Sequence, residues 1–267
     1  MSVHKQRPIK WPAGVKMLVV DIEAPSSSFS ADTGEIIIFA FIHPSWKSVR
    51  SVAYDDFEGW ENLYITDRDY FLCKWISEEL SDTEIFIGQY HVGFDLPFIN
   101  ARLAYHGFGP LRPTANIDTY KIAKKAFNPG RSFGRPSGLG CSLANLSKFF
   151  KLKTQKGKIH NIEWRIAMTN DDPALMRKIE RYCRNDVLTT RDLFQKVAPF
   201  GKIPHLHLEA GIKYAADTCN YCGSKELMKR GYYRTDTALY RQFYCKSCMR
   251  WPRGRKSLVG RGSQHVK

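Results

Sequence analysis

The 267-residue chain has no long apolar stretch. Its longest uninterrupted run, IIIFAFI at 36–42, is seven residues, against the roughly 20 that a bilayer-crossing helix requires. No positively charged start leads into an apolar segment of the secretory kind. A soluble, intracellular protein without a membrane partner is therefore expected. No internal repeat is visible, so no solenoid is expected either. Cysteine is sparse: seven in a chain of this length do not make a secreted disulfide framework. Acids are also in short supply, 26 Asp and Glu against 41 Lys and Arg, a net charge of +15.

The excess of base is concentrated. Residues 201–267 hold 14 Lys and Arg against 4 acids, a balance of +10 that leaves +5 for residues 1–200. A basic appendage with interleaved aromatics, on a nearly balanced body, points to nucleic acid as partner; a solvated tail is the alternative. With 43% hydrophobic and 13% aromatic residues, the chain can bury a real core. Its length accommodates one substantial domain and a small one. Residues 1–14 are a basic arm without periodicity, 15–200 a domain, and 201–267 a basic cysteine-bearing module.

VKMLVVDIE and EIIIFAFIH are β-branched, nearly continuous apolar runs, as in strands covered on both faces. SVRSVAY is a weaker strand and TEIFIGQY another, with the helically spaced DRDYFLCKWISEEL between them. Strand–helix–strand order predicts a mixed α/β sheet with helices on its faces. The second half is predicted mainly helical: LPFINARLAYHG, IDTYKIAKKAF, SLANLSKFFKL capped by Ser142, and a long helix opened by Asp172-Pro173. NPGRSFGRPSGLG is predicted as a loop.

Three acidic segments carry chemistry. In VVDIEAP, Asp21 and Glu23 stand at i and i+2 on a strand and so project from one face. Two like charges that close suit a hard divalent cation between them, although D-x-E at a strand end is also ordinary. In GQYHVGFDLPFINARL, Asp95 is an acid set in apolar sequence at a helix start, where a plain N-cap is the competing explanation. In RYCRNDVLTTRDLF, Tyr182 and Asp186 are four apart on one helical face; one exposed acid and one core tyrosine is the bland alternative.

These segments, in this order and spacing, resemble the three exonuclease motifs of the DnaQ-like (DEDD) 3′–5′ exonuclease superfamily, with its RNase H-like fold. The tyrosine four before the last acid resembles the tyrosine (DEDDy) branch, and the pattern over residues 15–200 is similar to stand-alone relatives of family B polymerase exonucleases. The resemblance implies an RNase H-like mixed five-stranded sheet flanked by helices. It further implies that Asp21, Glu23, Asp95 and Asp186 bind two Mg²⁺ or Mn²⁺ ions, that Tyr182 orients the attacking water, and that Phe94 and the apolar residues around it wedge or stack the terminal nucleotide; Ala24, where the family often has Thr, Tyr90 and Phe98 are further candidate substrate contacts. Single-stranded DNA is the implied substrate, RNA the alternative, and a replication or repair protein a further partner. A non-catalytic binding protein on the same scaffold is the rival. The chain departs from the family where a GHN run is usual and Gly88-Gln89-Tyr90 stands here; stacking by Tyr90 or a contact from Gln89 would replace the missing asparagine. Asp118 is expected to be a helix cap more than a site member.

Four cysteines form two C-x-x-C pairs, Cys219/Cys222 and Cys245/Cys248, with 22 residues between Cys222 and Cys245. The spacing fits a tetrahedral Cys₄ site for one structural Zn²⁺ in a small zinc ribbon, with a disulfide or redox pair as alternative. Cys73, Cys141 and Cys183 are expected to be small buried hydrophobes. Arg234, Arg241, Arg250 and Trp251 are the ribbon's candidate nucleic-acid contacts, and protein docking is the other use of such a module.

Overall fold

The computed structural model describes residues 15–25, 31, 34–127, 131–132, 135–136, 140–201, 218–220, 224–247 and 249–259. Contacts divide the chain into two compact units, Val15–Ile203 and a second drawn from Pro204–Lys267.

The first unit is built on five strands: β1 (Met17–Glu23), β2 (Ile38–Ile42), β3 (Arg50–Ala53), β4 (Ile85–Gly88) and β5 (Ala115–Asp118), in the order β3-β2-β1-β4-β5. β1 runs antiparallel to β2, from Val19↔Ile42 to Glu23↔Ile38, and parallel to β4, from Met17↔Ile85 to Val19↔Ile87. β3 extends the antiparallel side and β5 the parallel side. β1 and β2 are therefore interior strands, and every residue of β2 is buried. That is why both read as unbroken apolar runs rather than alternating ones. The mixed five-stranded α/β sheet is the one the sequence predicts.

Helices cover the sheet: α1 (Tyr70–Glu79), α2 (Asp95–Tyr105), α3 (Thr119–Phe127), α4 (Leu143–Phe149), α5 (Asn161–Asn170) and α6 (Pro173–Val197). α6 begins where Asp172 accepts hydrogen bonds from the Ala174 and Leu175 amides at 2.8 and 3.2 Å, and Pro173 fits the first turn. Ser142 caps α4 by accepting from the Asn145 amide. α6 packs across β1 and β2, and also meets α3 and α4. There Leu193 and Val197 join Ala123, Leu143 and Leu146 in a buried cluster.

Three segments differ from expectation. Ile117 and Asp118, read from sequence as the start of a helix, end strand β5, paired parallel to β4 through Ile87↔Ile117 and Gly88↔Asp118. The helical spacing of the following residues runs up to this junction, whereas the strand is specified by a partner about 30 positions away. α5 has no counterpart among the helices read from the sequence; of its described side chains, Ile162 and Ile166 are exposed while Trp164 and Ala167 are buried. Within the segment predicted as a loop, β6 (Arg131–Ser132) and β7 (Arg135–Pro136) pair antiparallel.

A buried ion pair fastens α2 to the unit. Arg102 and Asp69 are 1% and 0% exposed. The guanidinium donates to both Asp69 oxygens, Nε to Oδ2 at 2.9 Å and Nη2 to Oδ1 at 2.7 Å. The Ile36 amide donates to Oδ2 at 2.9 Å, and His106 Nε2 lies 2.7 Å from Oδ1. Burial raises the Asp69 carboxyl, but hydrogen bonds from His106 and Arg102 outweigh it and hold its pKa below the usual range. Asp69, Cys73 and His106 are close enough to hold a metal, but the Arg102 guanidinium already serves as the cation there.

In the second unit β8 (Leu227–Arg234), β9 (Leu239–Cys245) and β10 (Arg253–Ser257) form an antiparallel sheet with β9 central. Gly231, at φ +77°, lies where the β8–β9 register shifts by one residue. A bulge of this kind needs the left-handed region that glycine enters without strain. Cys219 and Cys245 are buried side by side beneath Leu227. Cys222 and Cys248 lie outside the described residues. No helix among the described residues is long and apolar enough to cross a membrane.

Removing one partner of a buried ion pair strands the other. Asp69→Ala is therefore expected to lower unfolding free energy by about 3–5 kcal/mol, read as a fall in the urea midpoint. An unchanged midpoint would show that Arg102 finds another acceptor.

Candidate active site

The end of β1 supplies the first two acids. Asp21 and Glu23 point to one side of the sheet, while Ile22 between them is buried. Asp95, the first residue of α2, reaches back to this strand: its Oδ1 accepts the Ile22 amide at 3.1 Å. The third acid is thus tied to the backbone between the first two. α6 supplies the fourth. The Cys183 thiol lies 3.7 Å from the Asp21 carbonyl oxygen and 3.8 Å from Asp21 Oδ2, so the turn of α6 carrying Tyr182 and Asp186 sits over the end of β1. Asp21, Glu23, Asp95, Tyr182 and Asp186, drawn from three distant segments, come together in one place.

Burial, and then crowding, set their protonation. Asp21 and Glu23 are pushed well above the normal carboxylate range, first by burial and then by neighbouring carboxylates: Asp95, Glu23 and Asp186 for Asp21, and chiefly Asp186 for Glu23. Burial lifts Asp95 to about 7, against the pull of the Ile22 amide. Burial raises Asp186 as well, opposed by Lys156. Tyr182 is pushed up to about 12 by burial and by Asp186, so its phenol stays protonated at neutral pH.

Lys156 is the residue that sequence reasoning missed. Its Nζ lies 2.7 Å from Asp186 Oδ2 and 5.1 Å from the centre of the Tyr182 ring. Burial alone would lower its pKa, but Asp186 and Tyr182 reverse that and raise it. In KLKTQKGKIH nothing separates Lys156 from Lys151, Lys153 or Lys158. The adjacent Gly157 is the one local hint: a Cβ there would come within 3.2 Å of the Tyr182 ring, so this turn packs directly on α6.

The acids fit a cation. Asp186 Oδ1 is buried with no hydrogen-bond partner among the described residues, although buried carboxylate oxygens are ordinarily satisfied. Among the described residues one ammonium faces four carboxylates, and hard oxygen donors at this density suit Mg²⁺ or Mn²⁺.

The other predicted positions separate. Asp118 is a cap, as expected: its Oδ1 accepts the Tyr120 and Lys121 amides at 2.9 and 3.2 Å, and also the Tyr90 amide at 3.0 Å. Tyr90 is held at φ +65°, half-exposed, its ring edge-on to Tyr120 at 5.1 Å. A tyrosine in the left-handed region is strained, a feature that gathers at functional sites. Gln89 is already engaged, its amide donating to the Cys141 carbonyl and accepting from Thr119 Oγ1. Phe94 precedes Asp95 half-buried, and Phe98, 5.6 Å away ring to ring, is in the core at 4% exposure. Ala24 directly follows β1. Arg234, Arg241, Arg250 and Trp251 belong to the second unit.

Comparison with known proteins agrees with this architecture. No curated protein matches the chain. Among solved structures, the family B DNA polymerase from the hyperthermophilic archaeon Pyrobaculum calidifontis superposes with a TM-score of 0.50 at 18% identity, over 75% of this chain and 26% of the polymerase. This chain thus spans about a quarter of that polymerase's length, and the likeness is one of fold. Residues 19–198 match the sequence pattern of the RNase H superfamily. That match takes in more than half of the chain, including all four clustered acids, and the chain belongs to the RNase H superfamily.

Proposed function

We propose that the chain is a metal-dependent 3′–5′ exonuclease that shortens single-stranded DNA. The observation that carries this is the cluster of four carboxylates with raised pKa values, one of them keeping an oxygen unpartnered. Asp21, Glu23, Asp95 and Asp186 would hold two Mg²⁺ or Mn²⁺ ions, and such a pair supplies charge stabilisation to the attacking and leaving oxygens of an in-line displacement. Tyr182, protonated throughout the working range, donates or accepts a hydrogen bond and so orients the attacking water without acting as its base. Lys156 pairs with Asp186, opposing the burial that raises its carboxyl, and lies over the Tyr182 ring. Phe94 and Tyr90, just before Asp95 in sequence, supply apolar surface to the terminal nucleotide. The direction of cleavage and the choice of DNA rest on the motif resemblance and are supported by the shared fold.

In the second unit, Cys219, Cys222, Cys245 and Cys248 would hold one structural Zn²⁺, making it a zinc ribbon that aids substrate binding. The burial of Cys219 against Cys245, despite 25 intervening residues, supports this arrangement. A three-stranded sheet this small would gain folding free energy from the metal.

Three outcomes follow. With Mg²⁺ or Mn²⁺, 5′-labelled single-stranded DNA should ladder from its 3′ end, with duplex DNA and RNA as comparison substrates. EDTA or Asp21→Ala should abolish the ladder, and Tyr182→Phe should slow it about a hundredfold with binding retained. No metal-dependent shortening of any substrate would overturn the proposal. The acids also make stability depend on pH. Their folded pKa values lie above the unfolded ones, so metal-free protein binds extra protons when folded and loses stability as pH rises from about 4 through 7. Asp95→Asn should therefore match wild type near pH 5 and melt higher near pH 8, with added Mn²⁺ stabilising only the wild type. Finally, elemental analysis should find about one zinc per chain, lost in Cys219→Ser and Cys245→Ser. A folded, zinc-free second unit would rule out the Cys₄ site.

A further inference from the structure

The second unit's sheet has two unlike faces. Side chains alternate along β9, so Cys245, Phe243 and Arg241 share one face while Tyr244, Gln242 and Tyr240 share the other. The pairing Tyr233↔Tyr240 places Tyr233 on the second face, and Arg253↔Gln242 adds Arg253. The Arg253 guanidinium lies over two rings, 4.3 Å from the centre of Tyr240 and 5.7 Å from that of Tyr233. Trp251 lies 5.3 Å from Tyr244, ring to ring. The face away from the cysteines therefore carries two aromatic groups, Tyr233–Arg253–Tyr240 and Tyr244–Trp251. Tyr240 and Tyr244 are about 13 Å apart along the strand.

This surface is open: Tyr233 and Trp251 are 44% and 53% exposed. The three strands carry seven Lys and Arg and no acid, with Lys229, Arg234 and Arg241 on the side of Cys245 and Arg253 on this one. Rings lying half-exposed beside guanidinium planes offer stacking surfaces to unpaired bases, and the surrounding bases attract phosphates. In a duplex each base is already covered by its neighbours, so flat rings on an open sheet have nothing to stack on. We infer that the sheet face opposite the cysteines, centred on Tyr240, Arg253 and Trp251, is a stacking platform for single-stranded nucleic acid. The inference rests on the reading of the second unit as a substrate-binding module and assigns that role to one face. On the other face Arg241 covers Tyr232 at 4.4 Å, and Cys219 and Cys245 lie at the end of that side with Leu227.

The test uses the full chain carrying Asp21→Ala, without added divalent metal, and a 5′-labelled oligothymidylate followed by fluorescence anisotropy. Tyr240→Ala should weaken binding roughly five- to hundredfold, the range for loss of one stacked base, whereas Tyr240→Phe should bind as the parent does. Arg253→Gln should weaken binding and flatten its salt dependence by about one phosphate contact. Zinc content and melting temperature separate lost binding from lost structure. Should Tyr240→Ala shed its zinc, tryptophan fluorescence of the otherwise unaltered Asp21→Ala chain gives a second reading. Oligothymidylate should quench it, and Trp251→Phe should remove the quench. If Arg234→Gln and Arg241→Gln weaken binding while Tyr240→Ala and Trp251→Phe leave affinity and quenching intact, the platform is refuted but a binding module stands. If duplex binds as tightly as single strand, stacking is refuted. If the parent binds no oligonucleotide, the substrate-binding reading fails along with the platform.

Discussion

Mutual repulsion among Asp21, Glu23, Asp95 and Asp186 is the constraint around which Val15–Ile203 is organised. Carboxylates brought this close resist being held, and each is fixed by something that does not titrate with it. Asp21 and Glu23 are fixed by the pairing of β1 with β2. Asp95 is fixed by the Ile22 amide, and behind it by the Asp69–Arg102 pair two turns further along α2. Asp186 is fixed by Lys156 and by the packing of α6 across the sheet. Strand, helix start and long helix thus each bring charge to one point, and the neutral scaffold bears the resulting strain. Natural sites that must attract cations accept such destabilisation because binding recovers it.

Much of this was legible in the sequence, for reasons that are physical. Interior strands announce themselves as continuous apolar runs, as β1 and β2 do, and the Asp172-Pro173 start of α6 is a local chemical signal. The acids stood out because charge in the middle of apolar sequence is rarely neutral in meaning. What stayed hidden depends on partners distant along the chain. β5 is four residues whose identity as strand comes from β4. Lys156 sits in a lysine-rich turn, and only the packing of Gly157 against Tyr182 selects it. Asp118 was legible as a cap, but its bond to the Tyr90 amide, which holds a strained residue beside the site, was not.

The second unit shows the same division at smaller scale. Its cysteine spacing and basic composition can be read off directly, and its tyrosines stand out as aromatics among bases. Which tyrosine faces which way cannot be read, because alternation along β8 is broken. Reading straight through from Leu227 would put Tyr233 with Leu227 and the cysteines; the observed pairing puts Tyr232 there instead, opposite Arg241.

The bulge at Gly231 is the source of that exchange: two residues of β8 stand opposite the single Gln242 of β9. With the extra residue in place, Tyr233 belongs to the aromatic face and Tyr232 to the cysteine face. Removing the extra residue at this point would let β8 pair regularly and would leave Tyr232 opposite Arg241 and Tyr233 opposite Tyr240. The faces are therefore fixed by the pairing with β9 and not by counting residues along β8, a restriction that residue-by-residue comparison of sequences would not reveal.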